Sequence, residues 1–482
     1  MTLIREFWPY LLFGVNLVAA VLASSHAILY KRDPRSAVSW VGLIWLAPIL
    51  GALLYISFGV NRLERKAISL RRKRFRSETL SPSLECTDQE LRDALGPEFL
   101  HLAPIAAVGR SLLGRPLLEG NAVLPLRNGE EAYPAMLAAI DAAERSVTLL
   151  AYILELDEVG HRFLDALGKA VERGVEVRVL IDAVGSGKGR RGILRAFRER
   201  KVTIELFLPL RVPWRHSYMN LRNHRKILVV DGRKGFTGGM NLRATHLAQG
   251  ASKDRESDLH FALEGPVVEH LQEAFVDDWA FATGESLLGD RWFPAQTARG
   301  TVNARGVPFD PGLRVDVFRS LLVAAVGAAH RSIRIVTPYF LPESPLIAAL
   351  NVAAMRGVEV DILIPERGDN RVVQWATEAM LWQVLGSGCR VWRTPPPFEH
   401  TKVMVVDGVW TFFGSMNVDP RSLRLNFEFN VESFDKGLGA QLEAVALGLR
   451  KTSKPVTMKE VDRRSLPIRL RDGLARLFTP YL

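Results

Sequence analysis

One block of residues occurs twice in this chain with the same internal spacing. The first copy holds His224, Lys226, Asp231 and Asn241, and the second holds His400, Lys402, Asp407 and Asn417. The two histidines are separated by as many residues as the two asparagines, so the copies align without a gap. A repeat of this kind predicts a duplicated structural unit, with each block at the same position in its own half.

A longer repeat surrounds both blocks. Residues 173–182 read RGVEVRVLID, and residues 356–365 read RGVEVDILIP. In each half an Ala- and Leu-rich stretch separates two β-branched runs, which is the strand–helix–strand pattern of an α/β unit with buried strands. We therefore predict an α/β fold of two duplicated lobes, residues 121–300 and 301–482. Face-to-face packing of the lobes would create one shared active site.

The N-terminal region contains two long uncharged runs. Neither residues 7–30 nor residues 36–61 include Lys, Arg, Asp or Glu. Each run is long enough for a helix that crosses a bilayer, so we predict transmembrane helices at about 7–29 and 38–60 and a membrane anchor over residues 1–62. The alternative for the first run is a cleavable signal peptide, which the second run immediately after it disfavours.

The chain carries a net charge of +11, and its basic residues cluster directly after the second run. By the positive-inside rule, this cluster places the N-terminus and everything after residue 62 in the cytoplasm. We interpret residues 63–120 as a basic linker that either lies on anionic headgroups or is simply solvated. The tail over residues 463–482 alternates cations with apolar residues, which predicts an amphipathic helix that touches the membrane or docks on the catalytic lobes.

The only two cysteines, Cys86 and Cys389, are far apart in the chain, and no metal-binding motif occurs. We therefore expect no disulfide framework, no metal and no cofactor. The repeated residues themselves suit phosphodiester chemistry. One imidazole can attack phosphorus while the other protonates the leaving oxygen, and lysine and asparagine can hold the non-bridging oxygens. Two fixed ammonium groups can replace a metal in that role.

The paired H-x-K-x4-D blocks with their Gly-x-x-Asn extensions resemble the phospholipase D superfamily. The whole chain is similar to the bacterial cardiolipin synthases of that superfamily. The likeness includes the two N-terminal runs, the string Thr337–Phe340 and the string Asn417–Glu428. Membership would imply a phosphatidyltransferase of the bacterial inner membrane, multi-pass, with its catalytic lobes on the cytoplasmic side.

The resemblance also implies roles for individual residues. His224 would be the nucleophile and His400 the general acid and base. Lys226, Lys402, Asn241 and Asn417 would bind phosphate oxygens, with Ser415 beside them. Glu428 lies at the family's spacing for a carboxylate that orients a histidine. The first half has Ser252 at that spacing, so we expect Asp258 to be the equivalent after a longer loop. Asp231 and Asp407 complete the catalytic motifs but are expected to bond backbone or turn groups.

Several alternatives stay open at this stage. The expected substrates are phospholipids in a membrane, namely phosphatidylglycerol and possibly phosphatidylethanolamine, and the oligomeric state is undetermined. With water as the acceptor the same residues would make a hydrolytic phospholipase D that yields phosphatidic acid. A nuclease would suit the basic charge but would have no use for membrane spans, so nucleic acid is not expected as a partner. A non-enzymatic scaffold would have no need for two intact blocks. Four residues near the site, Tyr152, Glu155, Tyr339 and Phe340, are expected to pack in the core or to line a lipid entrance.

Overall fold

The structure is a computed structural model. It describes residues 2–31, 34–59, 84–209, 221–247, 255–311 and 316–479. The chain divides into two compact units, of which the first contains the described residues 2–59 and the second contains the described residues from 84 onward. The basic run after residue 61, predicted to begin the linker, lies outside the described residues, as does Ser252.

The first unit is a helical hairpin. Helix α1 (Thr2–Tyr30) packs against α2 (Pro34–Leu46) and α3 (Pro48–Leu54), and a single π-helical turn (Tyr55–Gly59) follows α3. Small side chains such as Ala20, Ala23 and Ala27 are buried in this contact, which lets the helices approach closely.

The predicted second transmembrane helix is not continuous. The helix breaks at Ala47, because Pro48 has no N–H to donate to the preceding turn and its ring clashes with that turn. Within the described residues one helical segment, Tyr10–Tyr30, is long and apolar enough to cross a membrane. The segments on either side of the break are apolar but shorter. The first of the two predicted transmembrane helices therefore has a counterpart of spanning length, and the second stays a prediction.

The described part of the second unit contains eighteen strands, nine in each half of the chain. The strands of the first half are β1 (Leu118–Arg127), β2 (Ser146–Ala151), β3 (Glu176–Asp182), β4 (Thr203–Phe207), β5 (Arg222–Asn223), β6 (Ile227–Val230), β7 (Lys234–Gly238), β8 (Glu256–Ser257) and β9 (Leu259–Glu264). Those of the second half are β10 (Val302–Phe309), β11 (Ser332–Val336), β12 (Glu359–Pro365), β13 (Arg390–Thr394), β14 (Phe398–Glu399), β15 (Val403–Val406), β16 (Trp410–Gly414), β17 (Asn426–Phe434) and β18 (Lys454–Val456).

Helices connect and cover these strands. They are α4 (Asp88–Leu95), α5 (Ala103–Leu113), α6 (Asn128–Asp141), α7 (Glu158–Glu172), α8 (Arg190–Glu199), α9 (Val267–Thr283), α10 (Asp316–Ala328), α11 (Ser344–Met355), α12 (Arg371–Glu378), α13 (Trp382–Leu385), α14 (Pro420–Arg424), α15 (Lys436–Thr452), α16 (Met458–Asp462) and α17 (Leu466–Leu477). Short 3-10 turns occur at Pro97–Leu102, Gly187–Gly189 and Ala244–His246.

The strand order shows the duplication directly. The first half runs β1-β9-β7-β6-β2-β3-β4, and the second half runs β10-β17-β16-β15-β11-β12-β13, with β18 added at its edge. Strand β1 pairs antiparallel with β10, which joins the halves into one sheet of 16 strands, the sixteenth being β5, which pairs with β17 beside this order. The predicted duplicated α/β architecture is confirmed.

The two half-sheets also pack against each other through a shared hydrophobic core. That core includes apolar residues of both halves, and the rings of Phe261 and Phe413 stack across it with centroids 3.9 Å apart. Two further cores fill the space between each half-sheet and its outer helices. The lobes are therefore continuous at one edge and in contact at their faces.

Part of the segment predicted to be a linker is folded into the second half. Leu91, Leu95, Phe99 and Ile105 are buried in the same core as β11 and β12, and Cys86 donates its backbone N–H to Leu117 at 2.9 Å. The prediction was wrong here because it extended the basic character of residues 62–76 over the whole segment, although α5 is largely apolar and packs in the core.

A buried ion pair ties this segment to the sheet. The guanidinium of Arg305 on β10 bonds the carboxylate of Glu432 on β17, and both side chains are fully buried. The same guanidinium donates to the backbone carbonyl of Ala106 at 3.2 Å. Gly109 on α5 lies against the pair, and a Cβ at this position would come within 1.9 Å of the Arg305 guanidinium.

We expect Gly109→Ala to lower the free energy of unfolding by about 1–3 kcal/mol, because the added methyl group displaces a locked guanidinium. Gly192→Ala is the matched control, since Gly192 lies in α8 and nothing lies within 4 Å of its missing Cβ. There the same change should stabilise the protein by about 0.5–1 kcal/mol. Urea unfolding followed by tryptophan fluorescence measures both. Equal effects of the two variants would contradict the proposed packing constraint.

Candidate active site

Each motif histidine is held in place by a short strand that pairs with the opposite half of the chain. Strand β5, just before His224, runs parallel to the start of β17, and the His224 N–H donates to the Phe427 carbonyl at 2.9 Å. Strand β14, just before His400, runs parallel to β8, and the His400 N–H donates to the Ser257 carbonyl at 2.7 Å. The two halves therefore exchange the segments that lead into their histidines.

The side chains repeat this exchange. His224 Nδ1 lies 3.0 Å from Glu428 Oε2, and His400 Nδ1 lies 2.7 Å from Asp258 Oδ2. Both carboxylates are fully buried. A carboxylate that accepts a hydrogen bond from Nδ1 places the proton there and leaves the Nε2 lone pair free to react.

The two carboxylates have different environments. Glu428 accepts hydrogen bonds from the Ser415 hydroxyl and from Asn426 Nδ2 at 3.0 Å. Burial opposes its ionisation, but His224, Lys226 and Ser415 together outweigh burial, so the pKa of Glu428 lies below its ordinary value. Glu428 is therefore held as an anion.

Asp258 has less support. It accepts a backbone N–H of Leu259 at 2.8 Å, and burial raises the pKa of Asp258 well above its ordinary value despite the nearby Lys402. The position equivalent to Ser415 in the first half is Gly239, where a Cβ would come within 2.4 Å of the Asp258 carboxylate. The site is thus duplicated in geometry but not in electrostatics.

Burial also controls the two histidines. It lowers the pKa of His224 to about 4, although Glu428 acts in the opposite direction. Burial lowers the pKa of His400 well below its ordinary value, and Lys402 adds to this effect. In the empty site both rings are therefore neutral near pH 7, as a nitrogen nucleophile requires.

The two motif lysines lie beside the histidines. Lys226 Nζ donates to the His224 carbonyl at 2.7 Å, and Lys402 Nζ donates to the His400 carbonyl at 2.5 Å. Burial lowers the pKa of Lys226 to about 7, and the charge of Lys402 contributes to that shift. The Lys402 pKa is lowered by burial as well. Because the charge of Lys402 acts on Lys226, and the charges of Lys226 and His224 act on His400, the two blocks meet at one place.

The motif asparagines are buried near the same place. Asn241 Oδ1 accepts the Ile153 N–H at 3.2 Å, whereas Asn417 Oδ1 has no partner in the part of the chain that the structure describes. A buried amide oxygen without a partner can accept a hydrogen bond from a ligand donor such as a hydroxyl.

The motif aspartates lie elsewhere, at the far end of the strands that follow the lysines. Asp231 accepts backbone N–H groups of Glu144, Arg145 and Ser146. Asp407 accepts the equivalent N–H groups of His330, Arg331 and Ser332, and it also bonds His101. Although they belong to the predicted catalytic motif, these carboxylates contact backbone and do not join the histidines, which agrees with the expectation that they bond backbone groups.

The four residues expected to pack in the core or to line a lipid entrance have different surroundings. The Tyr152 ring contacts the His224 ring with centroids 4.9 Å apart and lies 5.1 Å from Lys226 Nζ, so Tyr152 lines the site. Phe340 packs in the core. Tyr339 donates its hydroxyl to Asp369 at 2.6 Å, and Glu155 lies 3.8 Å from Arg243.

Sequence reasoning missed Arg225, the residue between the motif histidine and lysine. Its side chain is fully buried and pairs with Asp278 at 2.7 Å and with Asp310. It also donates to the Glu428 carbonyl at 3.1 Å. Alternation along an extended chain places His224 and Lys226 on one side and Arg225 on the other. Arg225 therefore fixes the motif to the core without facing the reacting groups. Because the motif allows any residue between its histidine and lysine, the sequence did not indicate this role.

A second missed group lies beside His400. The His246 ring is 6.1 Å from the His400 ring between centroids, and its Nε2 accepts the Asn241 N–H at 3.1 Å. Arg243 pairs with Glu256 in the same neighbourhood. Within the described ranges, three buried atoms have no hydrogen-bond partner, namely His246 Nδ1, Arg243 Nε and Glu256 Oε2, although Glu256 Oε2 lies 3.4 Å from His246 Nε2. The same ranges contain no group of three or more His, Cys, Asp or Glu side chains that could hold a metal ion.

The fold and the paired histidine blocks define a phospholipase D-like protein. The family model described as cardiolipin synthase, PLD-like domain, matches residues 136–279 and 322–447. The family model of the phospholipase D-nuclease N-terminal region matches residues 18–59. The chain therefore belongs to the cardiolipin synthase family of phospholipase D-like proteins.

Individual relatives agree with this assignment. A cardiolipin synthase of Geobacillus thermodenitrificans is 30% identical over 100% of this chain and 97% of its own length. The major cardiolipin synthase of Bacillus subtilis is 30% identical, with 98% of each chain covered. The crystal structure of phosphatidylserine synthase from Haemophilus influenzae superimposes with a TM-score of 0.59 and 15% identity over 79% of this chain and 100% of that one, which shows a shared fold.

We expect Arg225→Thr, which copies the residue at the same place in the second block, to destabilise the protein by about 3–5 kcal/mol. The change leaves the buried Asp278 and the half-buried Asp310 without the Arg225 cation. Thr401→Ser is the control and should stay within about 1 kcal/mol. Denaturant unfolding measures both, and adding Asp278→Asn to Arg225→Thr should recover part of the loss. Failure of that rescue would argue against a charge effect.

Proposed function

We propose that this chain makes cardiolipin by transferring a phosphatidyl group from one phosphatidylglycerol to a hydroxyl of another. The observation that carries the proposal is the meeting of two neutral histidines, each bonded through Nδ1 to a buried carboxylate, next to two buried lysines. Full-length similarity to cardiolipin synthases supports this choice of substrates.

In the first step His224 Nε2 attacks phosphorus. A P–N bond forms, the P–O bond to the glycerol headgroup breaks, and the leaving oxygen takes a proton from His400 Nε2. His224 suits the nucleophilic role because the anionic Glu428 stabilises the positive charge that its ring gains. Asp258, less readily ionised, gives His400 weaker support, which suits a ring that must release a proton.

The bound substrate supplies a negative charge that favours the protonated forms of the site's basic groups. A phosphodiester carries one negative charge, and an anion beside His400, Lys226 and Lys402 raises the pKa of each group. His400 can therefore be protonated when the lipid is bound, although burial lowers its pKa in the free protein. Lys226 and Lys402, with Asn241 and Asn417, would hold the non-bridging oxygens, and Ser415 would act through Glu428.

The second step is the chemical reverse of the first, with a second phosphatidylglycerol in place of glycerol. His400 Nε2 takes the proton from the hydroxyl of the second phosphatidylglycerol, and the oxygen attacks phosphorus. The P–O bond of cardiolipin forms as the P–N bond to His224 breaks. No external oxidant, reductant or nucleotide is needed, because one phosphodiester replaces another.

We also propose that the enzyme is a multi-pass protein of the bacterial inner membrane with its catalytic lobes in the cytoplasm. The helix Tyr10–Tyr30 would form the first pass, and the broken pair α2 and α3 would form the second. Breaks of this kind are tolerated in membranes when neighbouring helices pack against them, as α1 does here. The basic run after residue 61 supports this orientation.

The test is mass spectrometry of the products formed from phosphatidylglycerol in mixed micelles. We expect cardiolipin and free glycerol from the wild-type chain, and a loss of at least about 10³-fold for His224→Ala and for His400→Ala. His161→Ala, at an exposed position of α7, is the control and should keep full activity.

Three results would change the assignment. Phosphatidic acid alone would identify water as the acceptor and the enzyme as a phospholipase D. Cardiolipin formation only after phosphatidylethanolamine is added would identify a different second lipid. Full activity in both histidine variants would exclude the proposed site.

The pH profile of 1/Kd for phosphatidylglycerol should have an upper limb near pH 7, because above the pKa of about 7 Lys226 loses the charge that binds phosphate. Because arginine stays charged, Lys226→Arg should move the upper limb to higher pH. Lys169→Arg on the exposed surface should leave the profile unchanged. An upper limb that does not respond to Lys226→Arg would assign it to another group.

A further inference from the structure

The C-terminal helix α17 turns its leucines away from the protein. Leu466, Leu470, Leu474 and Leu477 lie on one face by their spacing, and they are 67%, 59%, 60% and 73% exposed. Phe478 follows and is 58% exposed. A helix that only packs on a soluble body turns such a face inward, and an uncovered apolar stripe of this length marks a contact with a partner or a membrane. The predicted amphipathic tail helix therefore exists over its described part, with its apolar face free.

The opposite face of α17 is docked firmly on the second unit. Asp472 is buried and accepts hydrogen bonds from Arg464 and Arg471, each at 2.7 Å. The Arg471 guanidinium lies 4.5 Å from the centroid of the Trp375 ring on α12, and Ala475 is buried. The polar face thus holds the helix in one orientation, and the outward position of the leucines follows from these contacts.

Exposed arginines border the leucine stripe. Arg469 and Arg476 are exposed, and neither has an ion-pair partner in the described ranges. At about 100° per residue these two arginines lie on the same edge of the stripe. Leucines flanked by free cations are the pattern of a helix that lies in the headgroup region of an anionic bilayer.

A cavity of about 510 Å³ opens beside the same arginines. Its lining includes three arginines, two aspartates and the apolar side chains of Trp382 and Leu477; the charged residues are Arg464, Arg469, Arg476, Asp462 and Asp472. Trp382 is half exposed, and tryptophan favours the boundary between headgroups and acyl chains. Arginines at a cavity that borders an apolar stripe match the two parts of a phospholipid, a phosphate and a hydrocarbon tail.

We propose that α17 is a bilayer-binding element, with its leucines among the acyl chains and Arg469 and Arg476 on the phosphates of anionic phospholipids. A second copy of the chain fits the surface less well, because a two-fold contact between α17 helices would bring Arg469 and Arg476 against the same arginines of the partner. The inference goes beyond the proposed reaction and does not depend on it.

The test places a reporter on the stripe of the full-length protein in lipid nanodiscs. Leu474→Cys is labelled with an environment-sensitive fluorophore, since the native Cys86 and Cys389 are buried. Lipids with a nitroxide on the acyl chain then quench any probe that enters the bilayer. Leu124→Cys, at a leucine that is 59% exposed outside this helix, is the matched control.

We expect the probe at 474, but not that at 124, to be quenched in nanodiscs that contain phosphatidylglycerol. Arg469→Gln with Arg476→Gln should weaken insertion by about fivefold for each arginine, whereas Arg191→Gln with Arg198→Gln on α8 should have no effect. A probe at 474 that stays in water, equal quenching at 124, or equal quenching in purely zwitterionic nanodiscs would overturn the proposal. Shielding in detergent that grows with protein concentration would also overturn it, by showing that a second copy covers the stripe.

Discussion

Each reactive histidine of this protein depends on a carboxylate that the other half of the chain provides. Glu428 bonds His224 and Asp258 bonds His400, and the strands that precede the histidines pair across the halves in the same way. A single lobe would therefore present a histidine without its orienting carboxylate and a carboxylate without its histidine. The continuous sheet through β1 and β10 and the shared apolar core keep the halves in the one arrangement that completes both pairs.

Burial gives this arrangement its chemical character. Excluding water from the histidines and lysines lowers their pKa values, so the rings stay neutral and the ammonium groups lose a proton more readily than in water. An entering phosphodiester adds a negative charge that opposes this shift. The unequal support of Glu428 and Asp258 then distinguishes two rings that the repeat alone would treat as equivalent.

The sequence predicted the features that depend on local spacing. The repeat predicted the number of lobes and the position of each block at the start of a strand, whereas Asp258 was expected from the family resemblance because the repeat spacing leads to Ser252. It could not show that each carboxylate serves the opposite half, because that pairing depends on how the half-sheets meet. The buried ion pairs of Arg225 could not be predicted for a similar reason, because its partners Asp278 and Asp310 lie far from it in the sequence. The break at Ala47 depends on local backbone geometry, and the folding of the α4–α5 segment depends on packing against the second half, and composition alone specifies neither.

The aspartates that end the two motif strands have a consequence for how the chain can fold. Asp231 and Asp407 both adopt left-handed backbone conformations, with φ of 53° and 52°, and each carboxylate gathers three successive N–H groups from the neighbouring strand. If either hairpin shifted by one residue, those hydrogen bonds would be lost together and every side chain of the strand would change face. His224 and Lys226 would then point into the apolar interior and Arg225 would point into the site. The hydrogen bonds of these two carboxylates, which lie far from the histidines, therefore stabilise the correct strand register over one shifted by a residue.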